Sequence, residues 1–166
     1  MKTKTKVVRV SLTVRLPSFF HYIASEKDGI VWGFKNKPCL AYIGGVYGWQ
    51  PIGLDDCLPL IYGNIVPNAN WSKSLVYIEN KKRWGIDHRI ILDVRVDKNA
   101  NYMFMPPPRT LGLVFASWEK PFMSTKYNKW LCIEPPEYVL TTSKFCDDWR
   151  SSLREIRDRN LINENH

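Results

Sequence analysis

A nine-residue pattern occurs twice in this chain, and it limits what the chain can fold into. Residues 70–78 read Asn-Trp-Ser-Lys-Ser-Leu-Val-Tyr-Ile, and residues 148–156 read Asp-Trp-Arg-Ser-Ser-Leu-Arg-Glu-Ile. Each has a capping residue followed by Trp-x-x-Ser-Leu-x-x-Ile. Further matches precede them in the same order. Moved by 80 positions, Arg9, Leu12, Val14, Arg15 and Tyr22 fall on Arg89, Leu92, Val94, Arg95 and Tyr102. Moved by 83, Gly29, Val31, Lys37 and Pro38 fall on Gly112, Val114, Lys120 and Pro121. Trp49 reaches Trp130 at 81, and Trp71, Ser74 and Leu75 reach Trp149, Ser152 and Leu153 at 78. Order kept across small loop changes points to a tandem duplication, with repeats at 1–83 and 84–166.

A unit of about 80 residues has a thin core, so two repeats gain by packing as one body. The residue pattern predicts an α+β class, mainly antiparallel β, with short helical turns. Val8, Val10, Leu12, Val14 and Leu16 alternate with Arg9, Ser11, Thr13 and Arg15, which is the period of a half-buried strand over 6–16. Residues 89–96 show the same alternation towards their end. Strands are expected at 19–24 and 30–35, around a Glu26–Gly29 turn, and at 112–117. Residues 41–52 predict a hairpin opened by Gly44-Gly45, and 53–69, with Pro59, Gly63 and Pro67, a long loop. Asn70 and Asp148 are expected helix caps, and 148–160 a helix with i, i+4 charge pairs. Trp71 and Trp149 are expected to anchor the core.

No apolar run approaches the ~20 residues of a membrane span. No hydrophobic signal region follows the basic MKTKTK start, which predicts a cytosolic protein. Cys39, Cys57, Cys132 and Cys146 lack CxxC spacing and do not match between repeats, which argues against a duplicated zinc site or disulfide. His21, His88 and His166 sit in no nucleophile or metal-ligand pattern, and there is no phosphate-binding glycine loop. The residues therefore predict no enzyme, no metal and no cofactor.

What remains is charge and aromatic content. The net charge is +8. Residues 1–83 hold 12 basic and 5 acidic side chains, against 12 and 11 in 84–166. A basic balance favours an anionic partner. Seven Trp and eight Tyr offer surfaces for bases, which stack at roughly 1–3 kcal/mol each, while Arg and Lys hold phosphates. The matched residues Arg15, Lys37 and Trp49 in one repeat, and Arg95, Lys120 and Trp130 in the other, are the candidate ligand site. Arg9 and Arg89 are a further matched pair. For Trp49 and Trp130 a core role stays open.

Tyr22-Ile23-Ala24, Asp28-Gly29, Val31-Trp32, Phe34, Lys37-Pro38, Trp49 and Trp71-x-x-Ser74-Leu75 carry a resemblance. Residues 16–78 resemble small uncharacterised tailed-bacteriophage proteins with an IAxDxDGxVWxFxxKP … WxxSL pattern. The second repeat lacks the Ile-Ala and Asp-Gly elements. The resemblance implies phage origin and no activity. Small phage proteins of this kind often counter host defence. The leading expectation is a protein that sequesters a nucleotide immune signal, a cyclic dinucleotide or oligonucleotide, without turnover. The alternatives are a protein inhibitor of a host nuclease or CRISPR effector, and direct nucleic-acid binding.

Overall fold

The computed structural model describes residues 4–53, 56–108, 112–142 and 149–156. Two long strands, β1 (Thr5–Leu16) and β8 (Ile86–Asp97), pair antiparallel along their whole length as a ribbon. The other strands of the first part are β2 (Tyr22–Ser25), β3 (Val31–Phe34), β4 (Cys39–Ile43), β5 (Val46–Gln50), β6 (Cys57–Gly63) and β7 (Val76–Tyr77). Those after β8 are β9 (Tyr102–Phe104), β10 (Gly112–Ser117), β11 (Phe122–Ser124), β12 (Lys129–Leu131), β13 (Glu137–Thr142) and β14 (Arg154–Glu155). One curled sheet runs β14-β9-β10-β13-β6-β3-β2-β7, all antiparallel where paired. The pairs β4–β5 and β11–β12 are separate hairpins.

The layers follow from alternation. The inner residues of the ribbon, Val8, Leu12, Val14, Leu16, Val94 and Val96, are buried against Ile61, Val114, Val139 and Leu140 of the sheet. The opposite sheet face carries Ala24 and Phe34, and the β4–β5 hairpin closes on it with buried Trp49. That hairpin turns at Gly44 (φ +61°) and Gly45 (φ +82°), which suits the right-handed twist of its strands.

Residue registers repeat with the sequence offsets. Tyr22 opposes Phe34, and Tyr102 opposes Ser117, the same places moved by 80 and 83. A bulge between Val31 and Trp32 recurs between Val114 and Phe115, again 83 apart. Leu40 opposite Trp49 recurs as Met123 opposite Trp130. Within the ribbon, Ser11 opposes Ile91, the residue 80 positions on.

Several expectations are corrected. The class is mainly antiparallel β; among the described residues helix is confined to two 3-10 turns, Trp71–Lys73 and Trp149–Ser151. The helix expected after Asp148 does not form over the described residues. Instead β14 pairs with β9, and the Ile156 N–H donates to Asn101 O at 2.7 Å. An open sheet edge outcompetes a few exposed charge pairs, each worth about 0.2–0.5 kcal/mol. Asp148 itself lies outside the described residues. Asn70 makes no side-chain cap bond; its own N–H donates to Asn68 Oδ1. The expected 53–69 loop contains β6, because Leu58-Pro59-Leu60-Ile61 lies beside the β3 bulge, where proline is tolerated. The strand expected at 19–24 starts only at Tyr22. Pro17 O accepts the Phe20 N–H in a turn, and Phe20 plugs the core.

Candidate functional site

The Trp-x-x-Ser repeat has a physical explanation. Trp71 O accepts the Ser74 hydroxyl and N–H, and the indole N–H of Trp49 at 3.3 Å. The Ser74 hydroxyl also accepts the Ser25 N–H at 2.8 Å, which ties the turn to β2. Trp149 O accepts the Ser152 hydroxyl and N–H, and the indole N–H of Trp130 at 3.1 Å. Ser152 Oγ accepts the Met105 N–H at 2.7 Å, tying that turn to the end of β9. Each tryptophan candidate thereby holds a turn through its indole N–H. Trp49 is buried and Trp130 half-buried. Sequence matching could not separate a pin from a stacking platform, since both need a retained indole.

The cationic candidates do not converge. Lys37 and Lys120 are exposed beside the buried Pro38 and Pro121. Arg15 Nε donates to Asp87 at 2.9 Å, while Arg95 opposes Val7. Eight ribbon positions separate the levels of Arg15 and Arg95, or about 27 Å at the usual strand rise.

Instead, all four matched arginines share the ribbon's outer face, because the inner positions are apolar. Arg9 opposes Asp93 and donates to it at 3.1 Å. Arg89 opposes Thr13 and donates diagonally to Ser11 Oγ. The order along the ribbon is Arg95, Arg9, Arg89, Arg15, with Ser11 and Ile91 at its middle. Alternation in residues 6–16 already put Arg9 and Arg15 on one face; the pairing of β1 with β8 put Arg89 and Arg95 beside them.

Two grooves flank the ribbon where it crosses the sheet. One, of about 500 Å³, lies between β8 and β2–β3 and is lined by Arg9, Ser25, Ser74, His88, Arg89 and Asp93 among others. The other, of about 380 Å³, lies between β1 and β9–β10, with Arg9, Ser152 and Arg154 on its wall. Both volumes lie in the range of small-molecule sites. Neither groove is lined by Lys37, Lys120, Trp49 or Trp130. His88 is the residue that sequence reasoning passed over. It stands opposite Val14, on the inner face, where the matched position holds Val8.

Burial pushes the His88 imidazole below its ordinary value of 6.5. The unfolded chain therefore binds a proton more readily than the folded one. The His88 contribution to stability is fully present above about pH 6.5 and is lost progressively as the pH falls from there through the lowered folded-state value. His88→Val is expected to flatten the stability profile between pH 5 and 7, as read by thermal melts in steps of pH; an unchanged slope would place the titration elsewhere.

Burial also shifts two thiols and one carboxyl. Burial, with Asp56 adding to it, raises the Cys57 thiol, and burial raises Cys132. Burial also raises the Glu26 carboxyl; the Trp49 N–H it accepts at 2.9 Å opposes the rise and Asp28 adds to it. Among the described residues, no three His, Cys, Asp or Glu side chains converge as metal ligands, and no helix is long and apolar enough to cross a membrane. Compared with known proteins, the chain matches no family model, no curated protein and no solved structure.

Proposed function

We propose that this chain is a binding protein for an anionic, nucleotide-type ligand, acting without turnover as a phage protein that sequesters an immune signal. A cyclic dinucleotide or an oligonucleotide is the ligand class. The observation that carries the reading is the row Arg95, Arg9, Arg89, Arg15 on one exposed face, above a groove that adds His88 and two serine hydroxyls. Arginine forks suit phosphate oxygens, and charge-assisted bonds to them are the strong ones. The repeated registers support reading 1–83 and 84–166 as duplicated halves related by a pseudo-twofold through Ser11 and Ile91. The cytosol of the infected host is the place of action.

A second reading, an inhibitor of a host nuclease or CRISPR effector, draws on one feature. The β4–β5 tip exposes Tyr42, Ile43, Val46 and Tyr47 together, an apolar finger of the sort that docks on proteins.

Titration calorimetry against cyclic dinucleotides and short oligonucleotides is the test, with mass spectrometry of small molecules released by heating. Wild type is expected to bind at least one. Arg89→Ala is expected to weaken that binding roughly ten- to a hundredfold, the worth of one charge-assisted bond. Its melting temperature should hardly move, because an exposed charge contributes little to the fold. If nothing in the panel binds, sequestration fails and the inhibitor reading replaces it.

A further inference from the structure

We infer that the ribbon's outer face binds double-stranded nucleic acid through its phosphates, with the local twofold of the ribbon set on a dyad of the duplex. The inference rests on the anionic-ligand reading and names its class.

Three observations carry it. The first is symmetry. Ser11 opposes Ile91, its own match at offset 80, so an antiparallel twofold passes through that pair. Arg9 and Arg89 lie two positions either side of it, and Arg95 and Arg15 four positions either side. A duplex has a local dyad of the same kind, so each strand meets one arginine of each pair. The second is spacing. The inner pair stands about 14 Å apart along the ribbon and the outer pair about 27 Å. The first distance suits long side chains reaching phosphates on both sides of a major groove of about 12 Å. The second stays within one helical turn of about 34–36 Å.

The third observation is chemical. The rest of this face is Thr5, Val7, Ser11, Thr13, Asp87, Ile91, Asp93 and Asp97, with no aromatic ring. Single-strand binders stack bases on aromatic side chains, and this face offers none for that. Hydroxyls and arginines are phosphate partners, and phosphate contacts carry no sequence information. Exposed Lys4 and Lys98 stand at one end of the ribbon, and Lys82 and Arg83 at the other, where Lys81 is paired with Glu79 at 2.7 Å and Arg83 lies over the Trp84 ring.

The two sides of the row are not electrically equal. Arg9 and Arg15 face Asp93 and Asp87, whereas Arg89 and Arg95 have no carboxylate partner among the described residues. Arg89 and Arg95 should therefore dominate, and the two aspartates should restrain affinity.

Fluorescence anisotropy with a labelled duplex of about 20 base pairs, two helical turns, tests this across a salt series. Expected results are as follows. Wild type binds the duplex more tightly than either strand alone, and scrambling the sequence changes little. Arg89→Ala and Arg95→Ala each weaken binding about tenfold at low salt and lower the slope of log K against log salt by about 1. Asp93→Asn tightens binding severalfold, and Lys126→Ala, on the second hairpin, changes neither quantity. Melting curves check that each variant is folded. Tighter binding of single strands, or a duplex bound equally well by Arg89→Ala and Arg95→Ala, overturns the assignment. Cyclic dinucleotides bound with no duplex binding overturn it while leaving the function proposed above intact; if neither binds, both fall.

Discussion

Trp149→Ala is expected to cost about 3–5 kcal/mol in denaturant unfolding, the range for truncating a buried aromatic ring. Trp149 is 7% exposed and packs in the main core cluster. Its carbonyl survives the substitution, but the turn that holds that carbonyl in place does not keep its anchor. The acceptor for Trp130 Nε1 and Ser152 Oγ is then free to drift, and β14 loses its approach to β9. Trp71→Ala should cost clearly less, about 1–2 kcal/mol, although the two residues are sequence matches. Trp71 is half-buried, packs at the margin of a smaller cluster and meets Tyr47 edge-on at 5.6 Å. Equal losses at both positions would show that the difference in burial does not govern the anchors. Losses below about 1 kcal/mol at both would remove the core role altogether.

Gly63→Ala is expected to be strongly damaging for a single added methyl. Gly63 has φ +136° and opposes Leu140, at the β6–β13 joint in the middle of the eight-stranded sheet. A Cβ there would stand 2.7 Å from both Leu140 Cα and Val139 O, which are backbone and cannot rotate away. Backbone strain alone costs on the order of 1–3 kcal/mol. Displacing a ladder that joins the two sets of strands adds to it, so a total loss of about 3–5 kcal/mol, or failure to fold, is expected. Gly45→Ala is the control. It also has positive φ (+82°), but a Cβ would meet nothing within 4 Å. Its loss should stay near the 1–2 kcal/mol of a left-handed non-glycine residue. If thermal unfolding shows the two variants to be alike, the close approach at the joint does not matter.

Much of the strand layout was legible from local pattern. Alternation over 6–16 and 89–96 marks two faces without any knowledge of a partner, and β1 and β8 occupy those stretches. Gly44-Gly45 announced its hairpin because few residues accept two consecutive positive φ angles. The repeated Trp-x-x-Ser also announced that a local arrangement was needed twice. What the arrangement was depended on atoms distant in sequence. Ser25 and Trp49 complete it in the first case, Met105 and Trp130 in the second.

The candidate site shows the same division. Residue types and offsets singled out Arg15 and Arg95, and by themselves they suggested one shared pocket. The antiparallel register of β1 against β8 instead spread them along a line and inserted Arg9 and Arg89 between them. A side-chain period reveals which face a residue takes, but not which strand lies next to it, because pairing is decided by contacts dozens of residues apart. For the same reason 154–156 became a sheet edge rather than helix. The sequence by itself determined the faces, the tight turns and the matching of positions. Only the tertiary structure decided strand partners, the burial of Trp49, the unequal burial of Trp71 and Trp149, and the meeting of four arginines on one ribbon, since each depends on non-local backbone pairing that no local pattern encodes.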